Sequence, residues 1–104
     1  MTIKVSTPAE IGRLIKAARK AGRLRQDDAA GAIGVSDVFL WKLEKGAPGA
    51  RLDKVCTVMR ELGIELVAKV RPEVEATYEQ LRIKAAAGVT LPESTPKIRR
   101  QKTA

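Results

Sequence analysis

The side chains with chemical reach in this sequence are its cations. Twenty Lys and Arg residues stand against twelve Asp and Glu, a net charge of +8 over 104 residues, with an isoelectric point near 10.1. A domain this basic suits a polyanion, nucleic acid being the commonest, although many small proteins are basic for solubility alone. The placement of the charge adds weight to the first reading. Residues 1–71 hold fourteen basic and eight acidic side chains, residues 72–88 two and three, and residues 89–104 four and one. Other chemistries lack their parts. With no His and a single Cys, Cys56, neither an internal disulfide nor a Cys/His zinc site can form. No imidazole base or redox thiol pair is available either. No metal, cofactor or enzymatic activity is expected, and the absence of a long apolar run near the N-terminus points to a cytoplasmic protein.

The elements that must position these cations are helical. Aromatic residues make up only 3% of the chain, so the core must be aliphatic, as in compact helical domains. Thr7-Pro8-Ala9-Glu10 is a capping box with Pro at the first helical position, which predicts a helix over Pro8–Ala21 stopped by Gly22. Ile11, Leu14, Ile15 and Ala18 form its apolar stripe, and Arg13, Lys16, Arg19 and Lys20 its polar face. A second helix is expected over Gln26–Ile33, ended by Gly34. A third is capped by Ser36 and runs to Lys45. After the Gly46-Ala47-Pro48-Gly49 break, a fourth spans Arg51–Leu62, with Leu52, Val55, Cys56, Met59 and Leu62 on one stripe; Cys56 is most simply a core residue. Residues 64–71 alternate as a strand with Ile64, Leu66, Ala68 and Val70 on one face. Pro72 opens a further helix to about Ala87, with Val74, Tyr78 and Leu81 as its stripe. A basic tail, Lys97 to Lys102, follows.

Two short helices joined by a Gly-containing turn are the spacing of a helix-turn-helix, although a plain helical hairpin shares it. Ala30 is small where the pair must cross, Gly34 tolerates a positive φ, and Val35, Leu40 and Leu43 are expected to pack the second helix of the pair.

The residues from Leu24 to Gly46 resemble the XRE family of phage-repressor and Cro-like domains. The likeness lies in Leu24-x-Gln26, Gly34-Val35-Ser36 and Leu43-Glu44-x-Gly46, in fixed register, and covers about residues 7–66. A narrower likeness, through Phe39-Leu40, Glu44-x-Gly46-x-Pro48, Arg51-Leu52-x-Lys54-Val55 and Leu62-Gly63-Ile64-Glu65-Leu66, is to HipB-type antitoxin regulators. The resemblance implies a lambda-repressor-like bundle followed by a strand that pairs across a homodimer. It also implies a repressor of its own operon that binds a HipA-type kinase toxin. It places Asp37, Val38 and Lys42, with Trp41 beside them, at base edges, and Gln26 and Ser36 on backbone phosphate. Arg23, Arg25, Lys42, Lys45 and Arg51 are expected as further phosphate contacts.

The reading face departs from the family pattern, being poor in Gln, Asn and Arg. Val38 suits a thymine methyl. Asp37 either accepts from a cytosine amino group or simply stabilises the helix N-terminus. Trp41 is either a groove-wall contact or a half-buried structural residue, and Phe39 is expected on the scaffold. Arg25 stands where the family usually has a Thr or Ser cap, so it leaves the second helix prone to fray or takes a phosphate.

A lone strand after a helical domain exposes unpaired backbone groups on both edges. A two-fold mate satisfies them, and Ile3–Val5 is the alternative within the chain. The expected organisation is a DNA-binding and dimerisation domain over 7–71, an accessory helix over 72–88 and a basic tail over 89–104. The expected partners are double-stranded operator DNA, a second copy and a toxin kinase. A solitary XRE repressor and an adaptor without DNA binding are the competing functions.

Overall fold

The computed structural model describes residues 1–88. Their order is α1 (Pro8–Ala21), α2 (Gln26–Ile33), α3 (Asp37–Glu44), α4 (Leu52–Glu61) and α5 (Pro72–Ala86). The basic cluster of the tail lies outside the described residues. The chain divides into two compact units, Met1–Val67 and a second that begins at Ala68. Among the described residues no helix is long and apolar enough to cross a membrane.

In the first unit, local chemistry sets most helix ends. Thr7 Oγ1 accepts the Glu10 N–H at 3.1 Å, while the Glu10 carboxylate accepts the N–H groups of Ser6 and Thr7 at 2.7 and 3.2 Å. This reciprocal box satisfies donors that the first turn leaves open. The C-terminal stop of α1 differs from expectation. Gly22 has an ordinary φ of −83°, and the left-handed position is taken by Arg23, at φ 59°. There the Arg23 and Leu24 N–H groups return to the carbonyls of Lys20 and Arg19, at 2.9 and 3.1 Å. These bonds close the helix end with a residue that lacks glycine's freedom. After α2 the same cap is made by Gly34, at φ 96°, with Val35 N–H reaching Ala30 O at 3.0 Å.

The core is Ile15, Ala29, Ala30, Leu40, Leu43, Val58 and Met59, with Ile11, Ile33, Val35, Phe39, Val55, Leu62 and Ile64 packed around it. Ala30 is fully buried where α2 crosses its neighbours. The stripe expected on α4 is rotated. Leu52, the first residue of the helix, is 75% exposed, and Val58 is fully buried in its place. Periodicity marks a face but does not tell how far round the helix the neighbours reach.

Residues 64–71 do not form the expected strand; no strand occurs among the described residues. A strand exists by its ladder to a neighbour. Although Ile3, Val5 and Leu14 line one groove with residues 63–67, no ladder joins the two stretches. Ile64 packs against the core and its N–H caps α4 through Met59 O at 2.8 Å. Leu66, Ala68 and Val70 remain exposed. In the second unit, α5 begins at Pro72 with Glu73 and Glu75 in its first turn, and buries none of its side chains.

Candidate nucleic-acid interface

The expected reading helix, α3, is held from both ends. Its N-terminus is closed by Ser36, whose Oγ accepts the Phe39 N–H at 3.0 Å. Its C-terminus lies against α1 at a very close approach. A Cβ on Gly12 would collide with the Leu43 carbonyl oxygen and meet that of Glu44 at 2.7 Å, so glycine alone admits this contact. One turn pair along α1, Arg19 grips Glu44: Nε to Oε2 at 2.7 Å and Nη2 to Oε1 at 2.9 Å. Both side chains are nearly inaccessible, at 10% and 3% exposure. The remaining Arg19 nitrogen, Nη1, donates to Leu24 O at 2.9 Å. The Gln26 amide at the start of α2 donates to Glu44 Oε1 at 3.0 Å. The Arg19–Glu44 pair thus joins α1, the α1–α2 turn, α2 and α3, and the bonds to the Glu44 carboxylate push the Arg19 pKa above its ordinary value.

Residue types alone did not find this cluster. Arg19 sits on the polar face by periodicity, but the close approach at Gly12 rolls it under α3. Glu44 was legible only as part of the family pattern Leu43-Glu44-x-Gly46.

Packing against the core fixes which side of α3 is free. Leu40 and Leu43 are buried and Phe39 is half-buried against the core. Asp37, Val38, Trp41, Lys42 and Lys45 are all exposed, so the four expected base-facing residues share one accessible surface. Trp41 is 50% exposed rather than built into the core, and Lys45 Nζ lies over its ring, 5.2 Å from the centroid. Such a contact is worth about 0.5–1 kcal/mol at an exposed site. Beside it a cleft is lined by Lys16, Lys20, Gln26, Trp41 and Lys45, with the Arg19–Glu44 pair at its floor. It sets three cations next to the outer face of α3.

The expected phosphate residues divide into three kinds. Arg23, Ser36, Lys42 and Lys45 are exposed. Arg25 and Arg51 are also exposed, but each already holds an acid two residues on, Asp27 at 3.1 Å and Asp53 at 2.6 Å. Each occupies the N-cap position of its helix, α2 or α4, and makes no side-chain cap. Instead Asp27 and Asp53 accept the following N–H, from Asp28 and Lys54. The Asp28 N–H is the main cause that lowers the Asp27 pKa, and the Arg51 guanidinium is the main cause at Asp53. Gln26 is half-buried and committed to Glu44 through its amide nitrogen. The exposed surface around α3 is therefore led by Trp41 and the lysines.

Residues 10–69 match the profile of a family described as a helix-turn-helix domain. The chain belongs to the helix-turn-helix regulators of the XRE type. Among curated proteins the regulator is similar to the uncharacterized HTH-type transcriptional regulator y4mF of Sinorhizobium fredii (strain NBRC 101917 / NGR234). The two are 42% identical over 66 residues, 64% of this chain and 87% of that one. Its fold is that of a chain in the solved HipA–HipB–O2–O3 complex, with a TM-score of 0.61, 16% identity, and coverage of 66% of the regulator and 97% of the matched chain. A HipB–O4 20-mer complex matches with a TM-score of 0.60, 16% identity, and coverage of 66% and 97%. The regulator is accordingly a mainly helical transcriptional regulator, from a family without enzymatic activity.

Proposed function

We propose that the regulator is a dimeric repressor that reads a palindromic operator in its own promoter through α3 and acts as the antitoxin of a HipA-type kinase. The observation that carries the reading is the free face of α3: Asp37, Val38, Trp41 and Lys42 stand exposed together beside the cleft cations Lys16, Lys20 and Lys45. A reading helix with its bases-facing side open and phosphate-binding cations flanking it is what groove recognition requires. Because the face has few amide readers, Val38 on a thymine methyl, Lys42 on a guanine edge and DNA shape supply the sequence preference. Arg23, Ser36 and Lys45 hold the backbone, Gln26 adds the amide hydrogen that Glu44 leaves free, and Arg25 and Arg51 join them by exchanging a carboxylate for a phosphate.

The dimer is supported by the exposed alternation of Leu66, Ala68 and Val70, whose backbone makes no ladder among the described residues. A second copy supplies one and sets half-sites one helical turn apart, or a multiple of it. The toxin partner is supported by the fold shared with a chain from a complex that contains HipA and HipB.

The deciding experiment is a salt titration of binding to a DNA fragment from the gene's own promoter. With about six phosphates neutralised per dimer, log affinity falls against log salt with a slope near −5. A slope near zero, or equal binding to unrelated DNA at every salt concentration, overturns the operator reading. Co-purification of the neighbouring gene product, tested for kinase activity, decides the antitoxin assignment. Its absence leaves a stand-alone repressor.

A further inference from the structure

Helix α5 lies beyond the family match, which ends at residue 69, and none of its side chains is buried. Its apolar residues are nevertheless ordered. Val74, Tyr78, Leu81 and Ala85 follow a 4–3–4 spacing, which at 3.6 residues per turn gathers them within an arc of about 60°. Val74, Tyr78 and Leu81 are 41%, 61% and 43% exposed. Ile83 stands on the opposite side of the helix, so the stripe is a narrow seam rather than a broad apolar half. One flank of the seam carries Glu75 and Arg82, and the other carries Thr77 and Lys84.

We propose that α5 pairs antiparallel with α5 of a second copy. The charges choose both the occupant and the direction. In an antiparallel pair like flanks meet with reversed order, so Glu75 of each helix faces Arg82 of the other, and Lys84 faces Thr77. In the same register Val74 packs on Ala85 and Tyr78 on Leu81, each layer setting a larger side chain against a smaller one. A parallel pair sets Thr77 against Arg82 and leaves Glu75 without a cation, so it loses both ion pairs. Arg82 is at present held by Glu79 on its own helix, at 2.8 Å and in solvent, a partner it can share with the facing carboxylate. Fifteen-residue helices are too short to hold two chains by themselves. The pairing therefore rests on the dimer proposed above, which brings the two copies of α5 to high effective concentration.

Cysteine pairs in the full chain, with Cys56→Ala as background, test this. Positions 74 and 85 lie about 16 Å apart along one helix, too far to bridge internally. In an antiparallel pair each meets the other in the second copy. The Val74→Cys/Ala85→Cys double variant is expected to give a disulfide-linked dimer on mild oxidation, and neither single variant to do so. Linking by the single variants shows a parallel pair and overturns the proposal. No linking in a chain that sedimentation shows to be dimeric overturns it while leaving the dimer intact, and a monomeric chain removes both. Charge exchange gives a second reading. Glu75→Arg or Arg82→Glu alone is expected to raise the dimer dissociation constant about fivefold, and the two together to restore it. Additive weakening by the double exchange counts against the pairing, as does loss of a co-purifying protein without change in the dimer, which assigns the seam to that protein.

Discussion

Arg19 of α1 and Glu44 of α3, 25 residues apart in sequence, meet face to face in the interior through two parallel bonds of 2.7 and 2.9 Å. The pair holds the C-terminal end of α3 to α1, and the Glu44 carboxylate also accepts the Gln26 amide. The orientation of α3, and therefore of its exposed face, depends on this junction as much as on the apolar core.

Removing one partner leaves a buried charge without its counter-ion. Glu44→Ala or Arg19→Ala is expected to lower unfolding free energy by about 3 kcal/mol in urea titrations. Arg19→Met with Glu44→Leu is expected to recover most of that, because no charge is then buried. Recovered stability with lost operator affinity separates packing from positioning: it shows that the ion pair serves to aim α3.

Gly12 sits where α1 and α3 nearly touch, and even a methyl group there meets backbone carbonyls. Gly12→Ala is expected to lower the melting temperature although alanine favours helix by about 1 kcal/mol. The cost of separating the helices exceeds that gain, as overpacking in a filled core commonly costs about 1–3 kcal/mol. A raised melting temperature disproves the close approach.

Arg23 adopts φ 59° at the end of α1, a conformation unfavourable to any residue with a Cβ. Arg23→Gly is expected to raise stability by about 0.5–1 kcal/mol, part of the relief being offset by the greater freedom of glycine in the unfolded chain. On the proposed interface the same change removes one phosphate contact per subunit, so the salt slope of DNA binding is expected to flatten by about 2 per dimer. Stability and affinity thus move in opposite directions, which thermal melts and salt titration measure separately.

Acid weakens the fold through carboxylates at helix starts. Glu10 is held below its ordinary 4.5, chiefly by the Ser6 N–H. Asp27 and Asp53 are held below 3.8 by the bonds already described. Because each folded pKa lies below the unfolded one, the stabilisation is complete above the unfolded value and is lost as pH falls through the folded value. Urea midpoints are expected to be flat near neutrality and to fall below about pH 5. Glu10→Gln is expected to start lower and decline less steeply.

Sequence by itself determined the helices of the DNA-binding unit almost to the residue: the Thr7–Glu10 box, Ser36 as cap and Gly34 as turn act within a few residues of where they stand. The family resemblance placed Asp37, Val38, Trp41 and Lys42 on the outer face of α3, and all four are exposed while Leu40 and Leu43 are buried. Only the tertiary structure decided which polar residues go inside. Arg19 reads as surface by period, and its burial follows from how closely Gly12 lets α3 approach. The same dependence on neighbours moved the α4 core position from Leu52 to Val58. It also left residues 64–71 without a ladder among the described residues, since alternation prepares a strand but hydrogen bonds to another segment make one. Caps and turns are local and can be read along the chain; burial and pairing belong to two segments at once.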